Sequence, residues 1–458
     1  MIEAPSPGGF AIMRIGSAAL AVVIALGVSA AGHAADAPPP MPAAMAGHWE
    51  GELVEQGQAL PIRFDFLAEA GAPWGRFSAD RWQVMDYPLG GLKLDGVNVA
   101  FGMGGMELDG VVKGDAVVGT FKGDDGAGAF VLHRTAPAPP PYRVTEVSFP
   151  DGGVTLSATL VTPQTPGHYP AVVLAHGSGP ESRWGANRYV ADRLARAGVA
   201  ALIYDKRGSG LSTGDWRSAT YTDLAHDLVA GVDFLASRDD IDPARIGVLG
   251  HSEGGIVAPI AATLAPDRIA FVIAEDAPAM RIKDQDVYRV ERDIASQPWS
   301  DADKQQALAT YRVFVDVAAG DRPFAEYETL WTKYQNAAWF QYLGLPPKGH
   351  WIWTEYPKRA HLDTSTLWTG VKRPVLLIYG EEDPLMPVDA TIRRLEDVLD
   401  GSGAPYTALI APRAQHNLTI HPGPGERFFW WRQAPGLHDT VAAWILRCTA
   451  PDGPCRTR

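Results

Sequence analysis

The chain has 458 residues, of which 46% are apolar and 20% charged, and its formal net charge is −13. That length holds about two to four domains at roughly 100–200 residues each, and the composition excludes a disordered or coiled-coil chain. The acidic balance, with no run of Lys or Arg, argues against nucleic acid as a partner, and two cysteines exclude a disulfide-dense scaffold or a four-cysteine zinc site.

Arg14 precedes a short apolar run, 15–28, and small residues follow it up to Ala34-Ala35-Asp36. Charge, apolar stretch and small residues in that order predict a signal peptide over residues 1–34, cleaved after Ala34, with Met13 as an alternative start. The run falls short of the ~20 residues a membrane span needs. The expected product is therefore exported, periplasmic or extracellular, and without an integral span once the signal is removed; an uncleaved N-terminal anchor is the alternative. Export leads to an oxidising compartment, where Cys448 and Cys455 could pair and staple the tail.

A Pro/Ala linker covers 36–42, and residues 47–135 then read as a small antiparallel β domain. Its stretches alternate apolar and polar, as in Leu60-Pro61-Ile62-Arg63-Phe64-Asp65-Phe66, with Gly, Asp and Pro between them. The run Ala136-Pro137-Ala138-Pro139-Pro140-Pro141 is a stiff spacer. Residues 143–447 have a different texture. Two strand-like stretches come first, and then fully apolar strands alternate with helix-length segments: 171–175, 199–204, 246–249, 270–274, 375–379 and 407–410. Apolar strands separated by helices predict a mostly parallel sheet covered on both faces. Residues 280–370 interrupt the alternation and read as an inserted helical cap. Each of its aromatics, among them Trp299, Trp331, Trp339 and Trp353, reads as packing within the insert. As a set they suggest an interior suited to an apolar ligand.

The chemistry concentrates at Gly250-His251-Ser252-Glu253-Gly254, between an apolar strand and a helix-like segment. Gly-x-Ser-x-Gly at such a turn is a nucleophile elbow, with the serine strained and projecting above the sheet. A serine hydroxyl needs a base. His416, just past the last strand, is the candidate, with His421 as runner-up. The histidine needs a carboxylate to hold its tautomer. Asp383, beyond the strand 375–379, supplies one; Glu381 and Glu382 are close rivals and Asp276 a more distant one. An oxyanion hole needs two N–H donors. Glu253 offers one, and the turn His176-Gly177-Ser178-Gly179-Pro180 offers Ser178, with Gly179 as the alternative.

With these residues in place, the chain resembles the α/β-hydrolase superfamily, and within it the exported, esterase-like serine hydrolases that carry a small N-terminal β domain. The motifs that carry the resemblance are the 176–180 turn, Asp205-Lys206-Arg207-Gly208-Ser209-Gly210, the elbow with Gly255, and Gly380-Glu381-Glu382-Asp383. The resemblance implies an α/β-hydrolase fold and carboxylic-ester hydrolysis with Ser252, Asp383 and His416 as triad. Peptidases and thioesterases share the fold, so both stay open as alternatives, as does a non-catalytic binding protein. The 205–210 segment lacks dinucleotide-loop spacing and reads as a structural turn beside the site. No cofactor is implied, and no metal-binding motif is present. A small-molecule ester is the expected partner; the oligomeric state is left open.

Overall fold

The computed structural model describes residues 41–455 apart from 70, 71, 124, 125, 422, 424 and 429–431. The expected signal peptide, 1–34, lies outside the described residues.

The first unit is a nine-stranded meander: β1 (Gly47–Glu55), β2 (Gln58–Glu69), β3 (Ala72–Ala79), β4 (Val84–Pro88), β5 (Gly90–Asp95), β6 (Asn98–Met103), β7 (Met106–Lys113), β8 (Ala116–Gly123) and β9 (Gly126–Arg134). Every pair is antiparallel, and the order β4-β3-β2-β1-β9-β8-β7-β6-β5 joins the first strand to the last. The sheet is thus rolled, with its two edges at the consecutive strands β4 and β5. Alternation sets the faces. Leu60, Ile62, Phe64 and Phe66 of β2 all point inward and are buried with Trp49, Phe101 and Phe130.

The second unit is an eight-stranded sheet. It begins with β10 (Tyr142–Asp151), β11 (Val154–Pro163) and β12 (Tyr169–Ala175), then α1 (Ala186–Arg196), β13 (Ala200–Tyr204), α2 (Tyr221–Ala236), β14 (Ile241–His251), α3 (Glu253–Leu264) and β15 (Val272–Glu275). The cap follows: α4 (Ile282–Ser296), α5 (Asp301–Ala318), α6 (Phe324–Tyr334), α7 (Ala338–Tyr342) and α8 (Ile352–Glu355). β16 (Val375–Gly380), α9 (Val388–Ser402), β17 (Tyr406–Ala411) and α10 (Leu437–Cys448) complete it. The order is β10-β11-β13-β12-β14-β15-β16-β17, antiparallel across the first three strands and parallel beyond. This is the topology of an α/β-hydrolase.

Both faces of the sheet are covered, which explains its unbroken apolar strands. Leu224 and Leu228 of α2, Val257 of α3 and Leu395 of α9 pack on one face. Leu194 of α1 and Val441 and Ile445 of α10 pack on the other, together with Cys448 and Cys455. A disulfide joins those two cysteines. α2 starts where Thr220 and Asp223 form a capping box, the Thr220 hydroxyl accepting the Asp223 N–H at 3.1 Å.

The cap aromatics pack against one another. The Trp353 ring lies 4.9 Å from Tyr327 and 5.0 Å from Phe324. Trp331 meets Phe340 at 5.2 Å, and Trp299 meets Tyr342 at 5.1 Å. They form the cap's own core. Among the described residues, no helix is long and apolar enough to cross a membrane.

Candidate active site

The elbow forms because the chain must leave β14 and enter α3 with no intervening loop. Ser252 takes the turn at φ 52°, ψ −111°, a region side chains rarely occupy. Its N–H donates to the Glu275 carbonyl at 2.9 Å, which ties the elbow to the end of β15. Two flanking glycines make the turn possible. A Cβ on Gly250 would sit 2.0 Å from the Gly254 carbonyl oxygen, and one on Gly254 would sit 2.6 Å from that of Ala175.

Three chain ends meet above the sheet. His416 Nε2 is 3.0 Å from Ser252 Oγ, and His416 Nδ1 is 2.7 Å from Asp383 Oδ2. The other Asp383 oxygen accepts the Leu385 N–H at 2.7 Å, which fixes the carboxylate. The structure therefore brings Ser252, His416 and Asp383 into one hydrogen-bonded line. The rivals lie elsewhere. His421 is exposed and contacts Gln415 at 2.5 Å. Glu381 and Glu382 are exposed, and Glu381 accepts the Arg413 N–H at 2.8 Å.

Asp276 has a different place from the one its sequence position suggests. It is fully buried at the end of β15, in a left-handed conformation with φ 49°. One carboxylate oxygen accepts the Gly380 N–H at 2.9 Å and the other the Leu418 N–H at 3.1 Å. A single side chain thus links the loop bearing Asp383 to the loop bearing His416. Burial pushes the Asp276 carboxyl above the usual carboxylate range, the Asp383 charge pushes it further up, and His416 and the two N–H donors pull it back. Burial alone would lower the His416 pKa, but the Asp383 carboxylate, with Asp276 behind it, outweighs burial and holds it above the usual value. Burial and the charge of His416 drive the neighbouring His251 down to about 3, so it stays neutral. Asp276, Asp383 and His416 each bring a ligand atom within 4.8 Å of the others. A divalent ion there would compete with the hydrogen bond between His416 and Asp383.

On the opposite flank, Lys206 joins the 176–180 turn to the start of α3. Its ammonium donates to the Gly177 carbonyl at 2.9 Å and to the Glu253 carboxylate at 2.5 Å. Both side chains are buried. Ser178 Oγ lies 3.4 Å from the second Glu253 oxygen. Glu181 accepts the Gly177 N–H at 3.1 Å, which occupies that donor and leaves Ser178 as the next N–H in the turn. Glu253 is the first residue of α3, so the helix makes no use of its N–H. His176 is buried against Tyr204, its ring nitrogen meeting that residue's carbonyl, and burial drives it down to about 3. It shapes the turn as a neutral group. The segment 205–210 is the structural turn its sequence suggests, with Asp205 on Arg183 and Arg207 on Asp227. Lys206 is the member of that segment that reaches the site. Sequence reasoning flagged the motif but not its partner.

The family described as X-Pro dipeptidyl-peptidase (S15 family) matches residues 151–423. The chain is 34% identical to the quorum-quenching protein AidA of Acinetobacter baumannii over 137 residues, 30% of this chain and 44% of that protein. It is 31% identical to esterase EstD of Thermotoga maritima over 128 residues, 26% of this chain and 31% of that one. The chain thus spans less than half the length of these curated relatives. A solved dienelactone hydrolase of Anabaena variabilis is similar at 22% identity and a TM-score of 0.38, covering 67% of this chain and 98% of that one.

Proposed function

Since the chain belongs to the X-Pro dipeptidyl-peptidase (S15) family and is a serine hydrolase of α/β-hydrolase fold, we propose that it is an exported enzyme cleaving carboxylic esters through an acyl-enzyme on Ser252. The observation that carries this reading is the line Ser252–His416–Asp383, with its links of 3.0 Å and 2.7 Å. His416 Nε2 takes the hydroxyl proton as Ser252 Oγ attacks the ester carbonyl. The N–H groups of Ser178 and Glu253 hold the developing oxyanion. The alcohol leaves with the proton from His416. Water, deprotonated in turn by His416, then releases the acid and restores the serine.

Peptide cleavage is the second reading, favoured by the family match itself. A dipeptidyl-peptidase must hold the free ammonium of its substrate. The carboxylate nearest the nucleophile, Glu253, is already taken by the Lys206 ammonium, which favours esters over peptides with a free amino terminus. The Cys448–Cys455 disulfide supports export, because such bonds persist in oxidising compartments.

The test is turnover of p-nitrophenyl esters from acetate to palmitate, beside X-Pro anilides, by wild type and Ser252→Ala. The expected result is ester turnover that Ser252→Ala reduces by on the order of 10⁶-fold. Faster anilide than ester turnover would install the peptidase reading. Export is checked by the N-terminus of the protein made in cells, expected at Ala35.

A further inference from the structure

His416 does not sit on a loop that closes at the sheet. After it the chain forms β18 (Thr419–Ile420), continues to a segment described at 421, 423 and 425–428, and returns by β19 (Arg432–Gln433) into α10. β18 and β19 pair antiparallel, Thr419 opposite Gln433 and Ile420 opposite Arg432. The excursion is therefore a strap whose two feet are zipped together directly behind the histidine. The feet brace it. Thr419 Oγ1 donates to the His416 carbonyl at 2.8 Å. The Ala434 N–H donates to the Leu418 carbonyl at 2.8 Å, and Gln433 Nε2 to the Asn417 carbonyl at 3.2 Å.

The β domain holds the strap. Phe428 is buried in the core of that domain, its ring 5.7 Å from Phe121, and its carbonyl accepts Trp82 Nε1–H at 2.9 Å. Two glutamine side chains stand in for strand partners. Gln58 donates to the Gly425 carbonyl at 3.1 Å and accepts the Arg427 N–H at 3.2 Å. Gln83 accepts the Gln433 N–H at 2.5 Å and donates to the Gln433 carbonyl at 3.3 Å. Arg81 pairs with Glu426 at 3.0 Å. The strap also carries strain at Phe428, a residue with a bulky side chain held at φ 57°. Such a conformation persists only where the surroundings impose it, and here they are the walls of the β domain.

The same domain grips the other side of the site. Met85 of β4 and Gly185 exchange backbone hydrogen bonds at 3.2 and 2.9 Å, and Asp86 pairs with Arg188 at 3.1 Å. Gly185 follows the 176–180 turn by five residues, so one edge of the β domain touches the continuations of both loops that flank Ser252.

We infer that the N-terminal β domain is a positioning device for His416: by docking the strap at residues 425–428, and through Gln83 on Gln433 and Gln433 on Asn417, it sets the imidazole against Ser252. Gln83 and Phe428 are positioning residues. They touch no reacting atom and act through the strap. The inference rests on the reading of Ser252 and His416 given above. Its expected scale follows from geometry, since a displacement of about 1 Å at a reacting group can cost 10²-fold in rate.

The experiment uses the full-length protein with Gln83→Ala, Phe428→Ala, Phe428→Leu and, as reference, Ser252→Ala. Active sites are counted by end-point titration with a fluorophosphonate, so that rates refer to folded molecules. The expected result is a kcat per titrated site about 10- to 100-fold lower in Gln83→Ala and Phe428→Ala, with KM changed less than about twofold and partial rescue in Phe428→Leu. A merely structural role would reduce the number of titratable sites and leave kcat per site unchanged, and that outcome overturns the inference. If Phe428→Ala does not fold, Gln83→Ala, which deletes only two hydrogen bonds, decides alone. Loss of turnover in Ser252→Ala with full kcat in both dock variants removes this inference and keeps the Ser252 reading. Retained turnover in Ser252→Ala removes both.

Discussion

On one flank of Ser252, His416 lies beside two buried carboxylates, Asp383 and Asp276. On the other, the Lys206 ammonium touches Glu253 at 2.5 Å, and burial raises the pKa of the nearby Glu181 while the Lys206 charge pulls it back. The parts are alike and the uses differ. The cation of the first flank exists only when a proton has arrived, because an imidazole titrates near neutrality. The cation of the second works as a tie, joining the Gly177 carbonyl to the first turn of α3. A group that must gain and lose charge is set among acceptors that tune it. A group that holds two elements together is given a fixed partner.

Substitutions on the two flanks should therefore fail in different ways. Asp383→Asn should leave the loops in place but permit the wrong imidazole tautomer, at a cost of about 10⁴-fold in kcat. Steady-state kinetics with an unchanged melting temperature would show it. Lys206→Met should act through stability, because it leaves Glu253 buried and unpaired, a loss of about 3–5 kcal/mol. Denaturant unfolding measures that loss, and adding Glu253→Gln should recover most of it. A double variant as unstable as the single one would break the comparison.

Asp276→Asn sharpens the first flank. His416 must be neutral to accept the serine proton, and its pKa is held above the usual value, so the acid limb of kcat/KM should lie above about 6.5. Removing the Asp276 charge removes one of the groups that raise it, so the limb should move to lower pH. Two hydrogen bonds to Gly380 and Leu418 are disturbed as well, and kcat should fall about tenfold. A limb that does not move would show that Asp276 acts only as a brace.

The smallest effect concerns Glu426 in the strap. Arg432 and the Gly423 N–H hold its carboxyl down at about 2, against an ordinary value of 4.5. A depressed carboxylate stabilises the folded state above its ordinary pKa and loses that contribution as pH falls towards the folded value. Hydrogen-exchange protection over 423–433, measured against the intrinsic rate at each pH, should therefore fall a few-fold as pH drops from about 4.5 towards about 2. In Glu426→Gln the protection should be low at every pH.

What could be read from the sequence follows from the range of each interaction. The elbow is local, since Gly250 and Gly254 are required by atoms within a few residues or on the adjoining strand, and the Gly-x-Ser-x-Gly spacing records that. Asp383 and His416 announce themselves by standing just past apolar strands. The apolar strands themselves, and the alternation in β2, encode one sheet covered on both faces and another rolled on itself. Asp276 was legible only as a spare carboxylate, because its role depends on two loops, 104 and 142 residues further on, converging on it. The Lys206–Glu253 pair spans 47 residues and leaves no periodic trace. Phe428 sits in a run of Pro, Gly and aromatic residues that suggests an exposed loop, yet its ring completes a core built from the other end of the chain.

Contacts of that range carry an expectation for refolding. Gln58 and Gly425 are 367 residues apart, so the histidine loop gains its brace only once these two distant segments have met. The sheet can be complete while the enzyme is still silent. On refolding, hydrolase turnover should then appear after the far-ultraviolet signal of the helices has recovered, and the lag between the two would time the arrival of the strap.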